Sequence, residues 1–118
     1  MATRAVSITS YPGQQRAIVA SWTGLLNGDD GAPIDWLEYA DRTYQVTGTF
    51  GTGGSVQMEW SIDGTNWFLA NNPQGTTSAK TAAGGCALLE SARYMRPRVT
   101  AGDGTTNLTA KLVCRKSP

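Results

Sequence analysis

Apolar residues recur at every second position in several short runs of this chain, and the run from Val56 to Leu69 is the sharpest. Val56, Met58, Trp60 and Ile62 alternate with Gln57, Glu59 and Ser61, the period-two pattern of a strand with one buried face. Asp63-Gly64 then predicts a two-residue type I′ turn, which needs positive φ at both central positions. With that loop, Ile62 faces Thr65, Trp60 faces Trp67 and Met58 faces Leu69, all on one face of the sheet. A three-residue loop would instead place Trp60 with Phe68 and turn Trp67 to the other side.

The same alternation continues along the chain. Arg4 to Thr9 reads as a first strand, followed by a turn at Tyr11-Pro12-Gly13. Gln15 to Thr23 reads as a second strand, and Asn27 to Gly31 as a loop. Ile34 to Tyr39 fits either a short strand or one helical turn. Arg42 to Phe50 sets Tyr44, Val46, Gly48 and Phe50 on one face against Thr43, Gln45, Thr47 and Thr49 on the other. Residues 71 to 85 read as turns with one short strand around Thr77 to Thr81. Arg93 to Thr100 is a strand with Met95, Pro97 and Val99 facing inward. Pro97 cannot donate to a ladder, which predicts an edge position or a bulge. The last strand, Thr106 to Arg115, turns Leu108, Ala110, Leu112 and Cys114 inward. Seven or eight short strands with Gly-rich turns and no long helix predict an all-β fold. The expected form is a single-domain antiparallel β-sandwich of the jelly-roll type. Residues 1–14 form an N-terminal arm or first strand, and residues 15–118 the sandwich domain.

Composition narrows the chemistry. The chain has 118 residues, enough for one core, and a formal net charge of +1, so it offers no electrostatic case for nucleic acid or an anionic membrane. No apolar run approaches the roughly 20 residues that span a bilayer, and the first residues lack the apolar stretch of an export signal. Cys86 and Cys114 are therefore expected to be reduced, with Cys114 a small core residue. The chain contains no histidine. That removes Ser-His-Asp and Cys-His nucleophiles and nearly all catalytic zinc sites.

Asp29, Asp30, Asp35, Glu38 and Asp41 form an acidic segment that lacks the spacing of a calcium loop, so a solvated loop is the expectation. Glu59 and Asp63 are not spaced to flank a sugar as a glycosidase pair, and Asp63 is accounted for by its turn. Tyr94, Arg96 and Arg98 share one strand face. The guanidinium groups of Arg96 and Arg98 can fork onto the carboxylates of a protein partner, bind phosphate, or pair internally with Glu90 or Glu59. These readings stand side by side. Asn107-Leu108-Thr109 matches a glycosylation acceptor and is read as accidental.

Ser61-Ile-Asp-Gly-Thr-Asn-Trp67 resembles hairpins of several β-sandwich families, some of which bind carbohydrate. Taken together with Trp22 to Asp29, Gly31-Ala-Pro33, Asp41 to Phe50, Arg93 to Pro97 and Thr100 to Thr105, it gives a chain that resembles the capsid decoration, or cement, proteins of tailed bacteriophages. The resemblance covers about residues 20 to 115. It implies a virion protein, made in the host cytoplasm, that binds the exterior of the shell and braces it, with no cofactor and no catalytic residues. It implies the major capsid protein as partner, and a dimer or trimer of the chain itself. The residues expected to meet such partners are Arg4 of the arm, Trp36 and Tyr39 of the 27–41 loop, and Tyr94, Arg96 and Arg98. The competing reading is a carbohydrate-binding module of a head or tail accessory protein. A hydrolase working through carboxylates ranks below both.

Overall fold

The computed structural model describes residues 2–10 and 17–116. The expected turn at Tyr11-Pro12-Gly13, the opening Gln15-Arg16 of the second strand, arm residues 1 and 11–14, and the last two residues of the tail lie outside the described residues.

Among the described residues, eleven strands follow in order: β1 Thr3–Arg4, β2 Ser7–Ser10, β3 Ala17–Leu25, β4 Asp30–Gly31, β5 Ile34–Asp35, β6 Asp41–Thr49, β7 Ser55–Ser61, β8 Phe68–Leu69, β9 Gly84–Leu88, β10 Tyr94–Ala101 and β11 Asn107–Arg115. One sheet runs β1-β4-β10-β7-β8, with β5 also paired to β10; the other runs β2-β3-β11-β6-β9. All these ladders are antiparallel except the short β1–β4 pair. The pairing is nested: β3 lies beside β11, β4 beside β10, β6 beside β9 and β7 beside β8. A long folded-back chain wrapped into two facing sheets has this connectivity, which is the jelly roll.

The core fills the space between the sheets. β11 contributes Leu108, Ala110, Leu112 and Cys114, β3 contributes Ala20, Trp22 and Leu25, and β6 contributes Tyr44 and Val46; Ile34, Val56, Met58, Met95 and Val99 oppose them. Burying each large member stabilises the fold by about 1.5–3 kcal/mol. Trp22 also donates its indole N–H to the Ala32 carbonyl at 2.9 Å. Gly31 makes this approach possible: a Cβ there would lie 2.5 Å from Trp22 Cδ1 and 2.7 Å from Pro97 Cδ.

Several expectations need correction. The segment from Arg4 to Thr9 is not one strand. It breaks at Ala5 and Val6, with β1 in one sheet and β2 in the other. Thr77 to Thr81 forms only isolated bridges, Asn71 to Thr77 and Val56 to Lys80. The strand in that region is β9 instead, and it pairs along β6. β10 is not an edge strand, for it lies between β7 and the β4/β5 pair. Arg93 O and Val99 N both bond toward the β4/β5 side. By alternation the Pro97 nitrogen points the same way, into the gap between Gly31 and Ile34 where no ladder partner is needed. The bulge half of the expectation holds, with a register shift between Val99 and Ala101.

The hairpin also differs. Trp60 pairs with Phe68 and Glu59 with Leu69, so the register is one residue from the expected one and the loop covers residues 62–67. Gly64 has φ of 78°, but no residue other than glycine has positive φ among the described residues, so Asp63 cannot complete a type I′ turn. Asp63 instead cages the loop. Its Oδ1 accepts from the Thr65 and Asn66 amides at 2.8 and 2.9 Å and from the Ser61 hydroxyl at 3.0 Å. Its Oδ2 accepts from Asn66 Nδ2 at 2.8 Å, while Ser61 Oγ accepts from the Gly64 amide at 2.8 Å. These bonds, the Asn66 amide first, hold the Asp63 carboxyl well below the usual carboxylate range. A side chain that satisfies so many loop donors outcompetes the bare two-residue turn. The shift carries Trp67 to the outer face of the sheet.

Candidate partner-binding surfaces

On that outer face Arg96 is the hub. Its guanidinium reaches Glu59 Oε1 at 3.1 and 3.2 Å and Asp30 Oδ2 at 3.2 Å, and it lies 4.1 Å from the centre of the Trp67 ring. The three charged side chains are only 16% (Arg96), 7% (Glu59) and 15% (Asp30) exposed. Gln57 and Thr3 donate to the same two carboxylates at 2.9 and 2.7 Å. Tyr94 is half-buried against Gly64, with the Arg93 guanidinium 4.8 Å from its ring centre. Arg98 is exposed and has no ion-pair partner among the described residues.

The acidic segment is a solvated surface only in part: Asp35, Glu38 and Asp41 are exposed, whereas Asp29 and Asp30 are shielded from water. Asp29 is buried and accepts from Arg4 Nε at 2.7 Å, the Ala2 amide at 2.9 Å and the Leu26 amide at 2.9 Å. Burial alone would raise its pKa, but these bonds outweigh that and hold it below the ordinary value. Asp30 pairs with Arg96, Asp35 with Arg93, Asp41 with Arg115 and Glu38 with Lys116. Each acid of the segment meets a cation brought to it by the sandwich topology; the shielded pairs of Asp29 with Arg4 and Asp30 with Arg96 staple the arm and the 29–30 stretch, while the exposed pairs of Asp35, Glu38 and Asp41 contribute little.

The turn after β5 is held from two sides. On its inner side Arg42, buried on β6, donates to the Trp36 carbonyl at 2.7 Å and to the Tyr39 carbonyl at 3.0 Å. Burial presses the Arg42 guanidinium below its ordinary pKa, with the neighbouring Cys114 working against that. On its outer side Arg93 grips Asp35 with two bonds, at 2.9 and 3.2 Å, and the Arg93 carbonyl accepts from the Trp36 amide at 3.1 Å. The Asp35 carboxyl is lowered chiefly by the hydrogen bond from Arg93. Trp36 and Tyr39 stand 5.7 Å apart between ring centres, both half-buried against the core, with Lys116 over Tyr39 at 5.1 Å.

This doubly held turn presents Leu37 beside Trp60, Ile62 and Ala92. Together with Glu90, Ser91 and Arg93 they line an open groove of about 510 Å³. Phe68 packs on Trp60 at 5.2 Å between ring centres and extends the apolar surface. Leu37, Ile62 and Phe68 are 63%, 72% and 55% exposed. Contiguous exposed apolar surface of this kind marks an interaction site far more often than scattered single residues do.

The structure therefore separates the residues singled out from sequence. Tyr94, Arg96 and Arg98 share the outer face as expected, but Arg96 realises the internal pairing with Glu59 and adds Asp30. Arg4 is engaged by Asp29 at the margin of that sheet. Trp36 and Tyr39 anchor the turn and do not themselves line the groove. The groove residues Leu37, Ile62 and Phe68 were missed. Ile62 and Phe68 stand at the two ends of the hairpin loop, but nothing local brings Leu37 and Ala92 to them.

The nested two-sheet topology defines the class, an all-β double-sheet sandwich of the jelly-roll type. No protein-family model matches the sequence, and no curated protein does either. Among solved structures, the chain is similar to the SPBc2 prophage-derived protein YomS, at 12% identity and a TM-score of 0.63 over 86% of this chain and 96% of that one. It is also similar to Peruvianin-I, a cysteine peptidase from Thevetia peruviana latex (14% identity, TM-score 0.51), and to a recombinant oxalate oxidase in complex with glycolate (13% identity, TM-score 0.50). The chain covers 61% and 51% of the lengths of those two. At such identities the likeness is one of fold.

Proposed function

We propose that this chain is a non-enzymatic structural protein of a phage particle that seats on the outside of the capsid and stabilises it. The observation that carries this reading is the apolar groove at Leu37, Trp60 and Ile62, held in shape by Arg42 and by the Arg93–Asp35 pair. A preorganised apolar patch with a polar rim suits an anchor side chain from a protein partner. The likeness of nearly the whole of a prophage-derived protein supports the phage setting. The absence of histidine and the pairing of each acid from Asp29 to Asp41 with a cation give no support to a reaction centre.

The test is co-sedimentation with expanded shells of the phage that encodes the chain. The wild-type protein should pellet with the shells and raise their thermal resistance, and Ile62→Asp should lose both effects while melting at the wild-type temperature. Shells that never retain the wild-type protein would overturn the reading. The Trp60–Phe68 stack beside Glu90, with Phe68 exposed and Trp60 half-buried against the core, supports a second reading, a sugar-stacking platform. Binding on a glycan array that is lost in Phe68→Ala would favour it.

A further inference from the structure

We propose that Asn27-Gly28 is a site of spontaneous covalent modification, where Asn27 turns into aspartate or isoaspartate and loosens the hold of Asp29 on the N-terminal arm. The Asp29 amide donates to the Leu26 carbonyl at 3.0 Å, which closes a tight turn over residues 26–29. Gly28 takes the third position of that turn with φ of 83°, and a Cβ there would meet nothing within 4 Å. Asn27 is exposed, and the Gly28 amide makes no hydrogen bond among the described residues. Among those residues the Asn27 side chain is held by one bond, from Nδ2 to the Gly102 carbonyl at 3.2 Å. A deprotonated Gly28 nitrogen can therefore attack the Asn27 side-chain carbonyl carbon. The new C–N bond closes a five-membered succinimide, and the side-chain nitrogen leaves as ammonia. Water then adds to either ring carbonyl and breaks its bond to nitrogen, leaving aspartate or isoaspartate with no change of oxidation state. Such an attack takes its rate from proximity, and a following residue without a Cβ leaves the nucleophile unobstructed.

The other candidates lack this combination. Asn66, Asn71 and Asn107 precede residues that carry a Cβ, and Asn72 precedes Pro73, which has no amide hydrogen. Asp63 and Asp103 also precede glycine, but loop donors keep both carboxylates ionised, and the Gly64 amide is engaged by Ser61. Asp30 is tied to Arg96 and Thr3. A carboxylate ion is a poorer electrophile than an amide. The product at Asn27 changes what the turn holds. A carboxylate there cannot donate to the Gly102 carbonyl and is repelled by it. The isoaspartyl linkage also adds a methylene to the main chain between Leu26 and Asp29, whose amide and carboxylate are bonded at 2.9 Å. Asp29 is in turn the acceptor for Arg4 Nε and the Ala2 amide, so a distorted turn reaches the arm through it.

The test ages the full native chain at pH 8 until a synthetic peptide of residues 25–31 has half converted. Ion exchange should then resolve an acid-shifted fraction whose formal net charge has fallen from +1 to zero. After trypsin, the mass change from amide to acid should lie in the peptide Ala17–Arg42, which carries Asn27 as its only asparagine. Hydrogen exchange at residues 2–6 should be faster in that fraction than in fresh protein. Asn27→Gln keeps the amide donor but has to close a larger ring, so this peptide should stay unmodified and the arm should exchange at the fresh rate. A native chain left unmodified at Asn27 overturns the proposal. So does earlier modification at another asparagine, or a modified fraction whose arm exchanges as in fresh protein.

Discussion

Arg96→Ala tests whether the arginine row is structure or contact surface. The substitution removes two hydrogen bonds to Glu59 and one to Asp30, and leaves both carboxylates in positions where water reaches them poorly. Breaking a buried ion pair on one side costs about 3–5 kcal/mol. Gln57 still donates to Glu59 and Thr3 to Asp30, which favours the lower end, about 3 kcal/mol. At about 2.1 cal/mol/K of unfolding entropy per residue, that corresponds to a fall in melting temperature of about 12 °C. Urea denaturation of Arg96→Ala, Glu59→Gln and the double variant should give a coupling of about 1–2 kcal/mol, the range for residues in one network. Shell binding by Arg96→Ala should be unchanged below its melting temperature. A loss under about 1 kcal/mol with no coupling would refute the reasoning, because the pairs would then behave as solvent-exposed ones. Weakened shell binding at undiminished stability would return Arg96 to the contact residues.

Three further outcomes are expected. Asp29 has a folded pKa below its unfolded one, so the unfolded chain takes up the proton first; its contribution is complete above about pH 4 and disappears as pH falls through the folded value. Asp29→Asn should therefore cost about 1.5–3 kcal/mol near neutral pH and flatten the acid limb of a urea-stability profile, and an unchanged acid limb would count against the staple. Gly31→Ala drives a methyl into Trp22 and Pro97 and should destabilise by about 3 kcal/mol by thermal melt, with a cost below about 1 kcal/mol contradicting the close approach. Burial pushes the Cys114 thiol up to about 12, against a smaller opposing pull from Arg42. Ellman's reagent at pH 8 should thus titrate Cys86 alone in the native protein and both thiols in denaturant, whereas two fast native thiols would contradict the packing of β11.

β6, β10 and β11 were legible because alternation and burial agree from Arg42 to Val46, from Met95 to Val99 and from Leu108 to Cys114. β11 turns Leu108, Ala110, Leu112 and Cys114 inward as its pattern says, and β10 does the same with Met95, Pro97 and Val99. β9 was not legible. Gly84, Gly85, Cys86 and Ala87 have little strand propensity of their own, and pairing with β6 imposes the conformation. The hairpin failed for a different reason. Its turn residues were read for backbone φ, while the decisive term was the Asp63 carboxylate collecting donors from Ser61, Thr65 and Asn66. The groove could not be read from any local window, because it joins Leu37, Trp60, Ile62 and Ala92 from separate parts of the chain.

The charged residues, which draw the eye in the sequence, are largely consumed by the fold. Arg4, Arg93, Arg96, Arg115 and Lys116 each meet an acid, and Arg42 is spent on two carbonyls. Paired charges project little field beyond a Debye length of about 8 Å at physiological salt. Steering by net charge is correspondingly weak at a formal value of +1. Apart from Arg98, which is exposed without an ion-pair partner among the described residues, the proposed contact surface is the apolar groove of Leu37, Trp60 and Ile62. Contacts of that kind take their free energy from area removed from water, which is not screened by salt. The ion pairs then act one step earlier. On the proposed function, the Arg4–Asp29 pair that fixes the arm and the Arg42 bonds that fix the 35–39 turn would lower the ordering cost a partner meets on binding.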